Sequence, residues 1–203
     1  MSVQASVEKR LIDRAVRIGN EAYVSPDYAR AEAERLWPRV WQIACREEEI
    51  AAPGDYVTYD IAEDSVIVVR GQDGEVRAFH NLCRHRGRRL TEGCGNRKGF
   101  TCPFHAWSWD LSGACLGMTR GEAWDGALGK EDVPLLNVRA ATWGGWVFVT
   151  MDEDAPPLAD SLGEVATNLA PFEFGKMRYR WRQYLTFPCN WKVAIEAFNE
   201  GYH

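Results

Sequence analysis

Two short motifs, Cys83-x-His85 and Cys102-x-x-His105, stand sixteen residues apart in a chain of 203. Each supplies one soft thiolate and one imidazole. Four thiolates would suit a low-potential ferredoxin cluster or a structural zinc. Two cysteines and two histidines fit a [2Fe–2S] centre in which the cysteines hold one iron and the histidines the other. A single zinc ion is the competing occupant, but a zinc finger pairs Cys with Cys and His with His at its two ends. Here the ligand types interleave. The one-residue gap of the first motif also suits a loop wrapped around a cluster better than a knuckle closing on one ion.

The flanking residues, HNLCRHRG at 80–87 and CPFHAW at 102–107, resemble the Rieske family. That resemblance implies an antiparallel β domain whose two loops clasp the cluster. It makes Cys83 and Cys102 the ligands of one iron, and His85 and His105 those of the other. Rieske proteins of the respiratory and photosynthetic complexes carry an extra cysteine in each loop, where this chain has Arg88 and Phe104. They also place Ser and Tyr two and four residues after the second histidine, where Trp107 and Trp109 stand here. With fewer hydroxyl donors to the sulfurs, the potential is expected towards the lower end of the Rieske range, as in an oxygenase or ferredoxin type. Arg84, Arg86, Arg88 and Arg89 crowd the first loop. Two or three of them read as a solvated face; the others would stabilise the reduced centre and attract an acidic donor protein. His80 reads as a strand residue without a ligand role.

The last fourteen residues, NWKVAIEAFNEGYH, carry the second signal. On a helix beginning at Asn190, Glu196, Glu200 and His203 share one face. Alone, such a face is usually solvated. After a Rieske motif it resembles the start of the catalytic domain in α subunits of Rieske non-haem iron oxygenases, the ring-hydroxylating family. The resemblance implies that His203 is the first ligand of a mononuclear iron held by two histidines and a carboxylate. Glu200 would be the acid bridging His203 to His105 of a neighbouring subunit. Many members have Asp at that position; Glu resembles a subset that includes quaternary-ammonium oxygenases. The chain ends at His203, so the remaining iron ligands have no counterpart, and a fragment or truncated product without oxygenase turnover is expected.

Bulk properties agree with this reading. Hydrophobic content of 46% and nine tryptophans supply a core, and a net charge of −5 argues against nucleic acid or an anionic membrane. No apolar run reaches the length of a membrane span, the charged amino terminus argues against a secretory signal, and the cysteine usage fits a reducing cytoplasm. Six cysteines are too few and scattered for a disulfide scaffold. Cys45, Cys94, Cys115 and Cys189 are expected to be free, partly buried thiols.

The pattern predicts a helical extension (1–40), and the resemblance implies an α+β chain that continues as a Rieske-type antiparallel β domain (41–155) and the start of an α+β catalytic domain (156–203). Val7, Leu11, Ile12, Ala15, Val16 and Ile18 form an amphipathic stripe. Ser25-Pro26 opens a second helix that stops near Trp37, before Pro38. Strands are expected at 55–61, 65–70, 76–81 and 146–150, with a hairpin turn at Asp73-Gly74. Pro156-Pro157 reads as a linker to a helix over 158–170, then a strand over 177–187. The resemblance further implies electrons drawn from NAD(P)H through a reductase, with or without a ferredoxin. It also implies a homotrimer or α3β3 assembly and a small organic substrate. The alternative from another class is a stand-alone Rieske ferredoxin, which needs neither the extension nor the segment after Pro156.

Overall fold

The computed structural model describes residues 19–199, so the stripe expected over 7–18, and Glu200 and His203, lie outside the described residues. Two compact units divide the chain, one formed by residues 33–182 and the other by 1–32 together with 183–203.

The larger unit is antiparallel throughout. Strands β1 (Gln42–Arg46), β2 (Asp55–Ile61), β3 (Asp64–Arg70), β4 (Val76–His80), β5 (Cys94–Asn96), β9 (Asn137–Trp143) and β10 (Trp146–Thr150) form one sheet. Its order is β1-β10-β9-β4-β3-β2-β5. A small second sheet joins β6 (Gly99–Thr101), β7 (Ser108–Asp110) and β8 (Cys115–Gly117) in sequence order. The four expected strands coincide with β2, β3, β4 and β10. At the Asp73-Gly74 turn Gly74 takes φ +84°, and the Gly71 N–H donates to the Glu75 carbonyl at 2.8 Å.

The run Val66-Ile67-Val68-Val69 explains where the core lies. Successive strand residues point to opposite faces, and here both faces are buried. Val66 and Val68 join Cys45, Ile50, Val57, Val138, Val147 and Val149 on one side. Ile67 and Val69 join Tyr56, Phe79, Leu90, Phe100, Trp109 and the two motif cysteines on the other. The thiols of the motif pair therefore rest on the hydrophobic core that lies between the two sheets.

The smaller unit contains α1 (Glu21–Val24), the start of α2 (Pro26–Arg35) and α5 (Trp191–Asn199). Ser25 caps α2 through its hydroxyl, which accepts from the Tyr28 N–H at 3.4 Å. Asn190 opens α5 as expected, its side-chain oxygen accepting from the Lys192 N–H at 3.0 Å. Glu32 is buried. It takes a 2.6 Å bond from Lys192 Nζ and a 3.2 Å bond from the Trp191 indole, while the Tyr23 hydroxyl donates to Glu196 at 2.7 Å.

Three expectations are corrected. The helix over 158–170 is broken into α3 (Leu158–Leu162) and α4 (Glu164–Leu169) by Gly163, whose φ of +49° and ψ of −129° cannot continue a helix. Residues 177–187 form no strand, because the Tyr179 N–H donates to the Glu48 carboxylate at 3.1 Å in place of a ladder bond. Cys94 and Cys189 are exposed, not partly buried.

Candidate metal centre

The first motif lies in the loop between β4 and β5, the second in the turn between β6 and β7. Both loops are built alike. The Cys83 N–H donates to the Arg88 carbonyl at 2.8 Å, and the Gly87 N–H donates back to the Cys83 carbonyl at 2.8 Å. In the second loop the Cys102 N–H donates to the Trp107 carbonyl at 2.7 Å, and the Ala106 N–H to the Cys102 carbonyl at 3.0 Å. The residue four places after each cysteine has the left-handed backbone this turn demands: Gly87 at φ +70° and Ala106 at +57°. Glycine accepts that geometry freely, while alanine pays a steric cost of about 1–2 kcal/mol.

Asn81 closes the base of the first loop. It is buried, and its side-chain oxygen accepts from the Leu90 and Thr91 N–H groups at 3.0 and 3.2 Å. Its amide donates to the Thr91 carbonyl at 2.8 Å and to the Ser65 hydroxyl at 3.0 Å. Sequence reasoning quoted Asn81 inside the motif but gave it no role. A polar residue next to a strand end, two before a ligand cysteine, was the available signal.

Within this frame the four motif residues converge as two pairs. Cys83 and Cys102 are each 2% exposed, and each thiol influences the ionisation of the other. The His85 and His105 rings face each other with Nδ1 atoms 3.1 Å apart. That spacing suits two nitrogens bound to one ion, given metal–nitrogen bonds of about 2.0–2.1 Å. Among the described residues, no three His, Cys, Asp or Glu side chains gather as a site for a single metal ion. A sulfur pair beside a nitrogen pair is the donor set of a two-iron cluster with mixed ligation, and the residues present fit that group.

The electrostatics act differently on the thiols and on His85. Burial pushes the Cys83 thiol up, and the neighbouring Cys102 adds to it, against N–H groups of His85 and Arg86 that aim at its sulfur. Burial also opposes ionisation of Cys102, but N–H groups of His105 and Phe104 and the charge of Arg88 outweigh it and hold that thiol below its usual value. Desolvation first, then His105 and Arg86, lower the His85 pKa and favour the neutral imidazole a metal requires.

Aromatic rings complete the surroundings. Trp107 is buried and stacks on His85, with centroids 5.0 Å apart and planes within 13°. Trp124 stands edge-on to both His85 and Trp107. The exposed Phe104 lies against His105, with ring centroids 3.9 Å apart. A cleft of about 800 Å³ opens over the two imidazoles, lined in part by Trp107, Arg120 and Trp124. Trp109 is fully buried and spends its indole N–H on the Val133 carbonyl at 2.7 Å. His80 sits at the end of β4, its N–H donating to the Leu136 carbonyl at 2.9 Å.

Comparison with known proteins matches residues 40–126 to the Rieske [2Fe-2S] domain. Residues 40–126 of the chain are a Rieske [2Fe-2S] domain. The chain is 36% identical over 197 residues to the chlorobenzene dioxygenase subunit alpha of Cupriavidus sp., covering 94% of this chain and 44% of that protein. It is 33% identical over 184 residues to the carnitine monooxygenase oxygenase subunit of Acinetobacter pittii, covering 89% of this chain and 49% of the relative. Among solved structures, the apo form of the quaternary ammonium Rieske monooxygenase CntA superposes with a TM-score of 0.85 at 29% identity. The match covers 92% of this chain and 55% of that one. Naphthalene 1,2-dioxygenase from Rhodococcus sp. gives 0.72 at 32% identity over 82% of this chain and 38% of its own. The resemblance read from the two motifs thus extends to Rieske oxygenase α subunits along nearly the whole chain. The chain spans about half the length of the curated relatives it matches.

Proposed function

We propose that this chain is the electron-accepting Rieske half of a terminal oxygenase α subunit. The observation that carries the reading is the buried thiol pair set beside two imidazoles whose Nδ1 atoms lie 3.1 Å apart. In this reading Cys83 and Cys102 hold one iron, and His85 and His105 the other. A [2Fe–2S] centre bound there supplies one-electron storage at a potential set by its surroundings. The chain's own residues do the rest. Backbone N–H groups of both loops favour the thiolate form of each cysteine, and Trp107 stacks on the His85 ring.

The wider reading assigns residues 1–40 to a helical extension, 41–155 to the Rieske domain and 156–203 to the start of a catalytic domain. His203 is the first ligand of a mononuclear iron, which supplies oxygen activation when bound. Glu200 bridges His203 to His105 of a neighbouring α subunit. Electrons come from NAD(P)H through a reductase, with or without a ferredoxin, in a cytoplasmic homotrimer or α3β3 assembly acting on a small organic substrate. Relatives named as dioxygenase α subunits and as oxygenase subunits of monooxygenases support this reading. Among the described residues no helix is long and apolar enough to cross a membrane.

The test is ligand removal. After anaerobic loading with iron and sulfide, Cys83→Ser should lose the visible absorption and the bound iron. Cys94→Ser, at an exposed thiol outside the site, should keep both. A full two-iron centre in Cys83→Ser would overturn the assignment.

A further inference from the structure

A single indole at the rim of the imidazole cleft sits on backbone held under strain. Trp124 ends a short 3₁₀ turn, Gly121–Trp124. The residues on either side of that turn, Arg120 and Asp125, both have left-handed backbone, at φ +58° and +48°. Aspartate visits that region now and then; a long side chain such as arginine rarely does. Strained backbone of this kind persists only where its surroundings over-determine it. Here three main-chain bonds brace the turn. The Gly121 N–H donates to the Met118 carbonyl at 3.1 Å, the Asp125 N–H to Glu122 at 3.2 Å and the Ala127 N–H to Trp124 at 2.8 Å. We propose that Trp124 is a positioning residue of the electron-storing centre, a shield that keeps water from the edge of His85 and so holds the reduction potential down. The inference rests on the Rieske reading and adds a residue that sets the potential.

Three observations carry it. The Trp124 ring stands edge-on to His85, with centroids 6.4 Å apart and planes at 89°. It stands edge-on to Trp107 as well, at 6.3 Å and 77°, while Trp107 stacks on the face of His85. The two indoles thus cover a face and a side of one half-buried imidazole. Second, Trp124 is 39% exposed. An indole left at the surface in this way contributes little to the core, so burial does not account for the strain beneath it. Third, the cleft of about 800 Å³ gives water a way to both imidazoles, and Trp124 is one of its walls. The effect on the potential follows from charge. A centre of two ferric ions, two sulfides, two thiolates and two neutral imidazoles is formally neutral, and one added electron makes it negative. Water stabilises the charged form and an apolar ring does not, so water kept from His85 disfavours reduction. Arg120 also lines the cleft, and its charge acts the opposite way. Its side chain is exposed, however, and screened by solvent.

The experiment is a redox titration of the loaded protein, followed by visible absorption. At a fixed ambient potential, Trp124→Ala should raise the ratio of reduced to oxidised centre about three- to tenfold, tenfold being about 59 mV for one electron. Trp124→Phe keeps an apolar ring beside His85 and should stay within about twofold of the wild type. Pulsed electron paramagnetic resonance of the reduced protein in D₂O should show more deuterons near the centre in Trp124→Ala than in the wild type. Iron content should be the same in all three proteins. An unchanged ratio in Trp124→Ala, an equal shift in Trp124→Phe, or no gain of deuterons would overturn the proposal. So would loss of the centre from Trp124→Ala, which would make the indole part of the frame that holds it. A wild-type protein that binds no two-iron centre would instead refute the reading beneath it.

Discussion

At the scale of single residues, the polar clamp at Asn81 and the thiol at Cys45 give the sharpest consequences. Asn81→Ala leaves the Leu90 and Thr91 N–H groups without their acceptor in a dry site. A buried orphan costs about 1–3 kcal/mol, so a loss of about 2–4 kcal/mol is expected in urea unfolding of the loaded protein. Asn81→Asp keeps the acceptor but sets a buried carboxylate oxygen against the Thr91 carbonyl to which the amide donated, and should cost at least as much. Cys45 differs from the motif cysteines in having no partner loop of N–H donors. Burial, followed by the charge of Glu49, pushes its thiol up to about 12. It should resist thiol reagents at pH 8, while exposed Cys94 and Cys189 react. Because the folded value is the raised one, its contribution is fully present below the unfolded value of about 8.5 and is lost as pH rises from there towards 12. Each unit in that window costs about 1.4 kcal/mol. Cys45→Ala should flatten the alkaline part of a stability–pH profile; a profile identical to the wild type would show that another group governs it.

At the scale of elements, the two ligand loops repeat one hydrogen-bond design from different sequences, Gly87 in one and Ala106 in the other. That equivalence was not legible in the sequence, because alanine gives no sign of a left-handed backbone. The long strands β2, β3 and β4 were legible, since their β-branched runs and the Asp73-Gly74 turn act locally. The three-residue strands β5 to β8 are too short to show a period, and β9 carries Asn137, Ala140 and Ala141, which weaken its strand signal. The expected strand over 177–187 failed for a related reason. Tyr179, Trp181 and Tyr184 favour extended chain, but a strand exists only where a ladder partner does. Glycine substitutions separate conformational cost from crowding. A Cβ at Gly87 meets nothing within 4 Å, whereas at Gly113 it falls 2.6 Å from the Phe79 ring. Gly87→Ala should therefore cost about 1–2 kcal/mol and keep the centre. Gly113→Ala, at φ +86°, should cost several-fold more in the same unfolding measurement, and equal costs would show that crowding at Gly113 is relieved without strain.

At the scale of the whole molecule, the main sheet and the small sheet enclose one core, and the motif cysteines belong to it. Loading the centre should therefore raise the unfolding midpoint, since the folded chain alone presents all four donors. That Cys83, His85, Cys102 and His105 belong together was legible, because each motif is short and local in the chain. What surrounds them was not: Trp107 and Trp124 lie near His85 only through tertiary packing. The Trp109 indole spends its N–H on Val133. The most direct measurement of the central claim is the electron paramagnetic resonance spectrum of the loaded, one-electron-reduced protein. Two imidazoles on one iron predict an average g-value below that of an all-cysteine ferredoxin, with nitrogen couplings that disappear when His85 or His105 is replaced. A spectrum matching an all-cysteine cluster, unchanged by those replacements, would contradict the account.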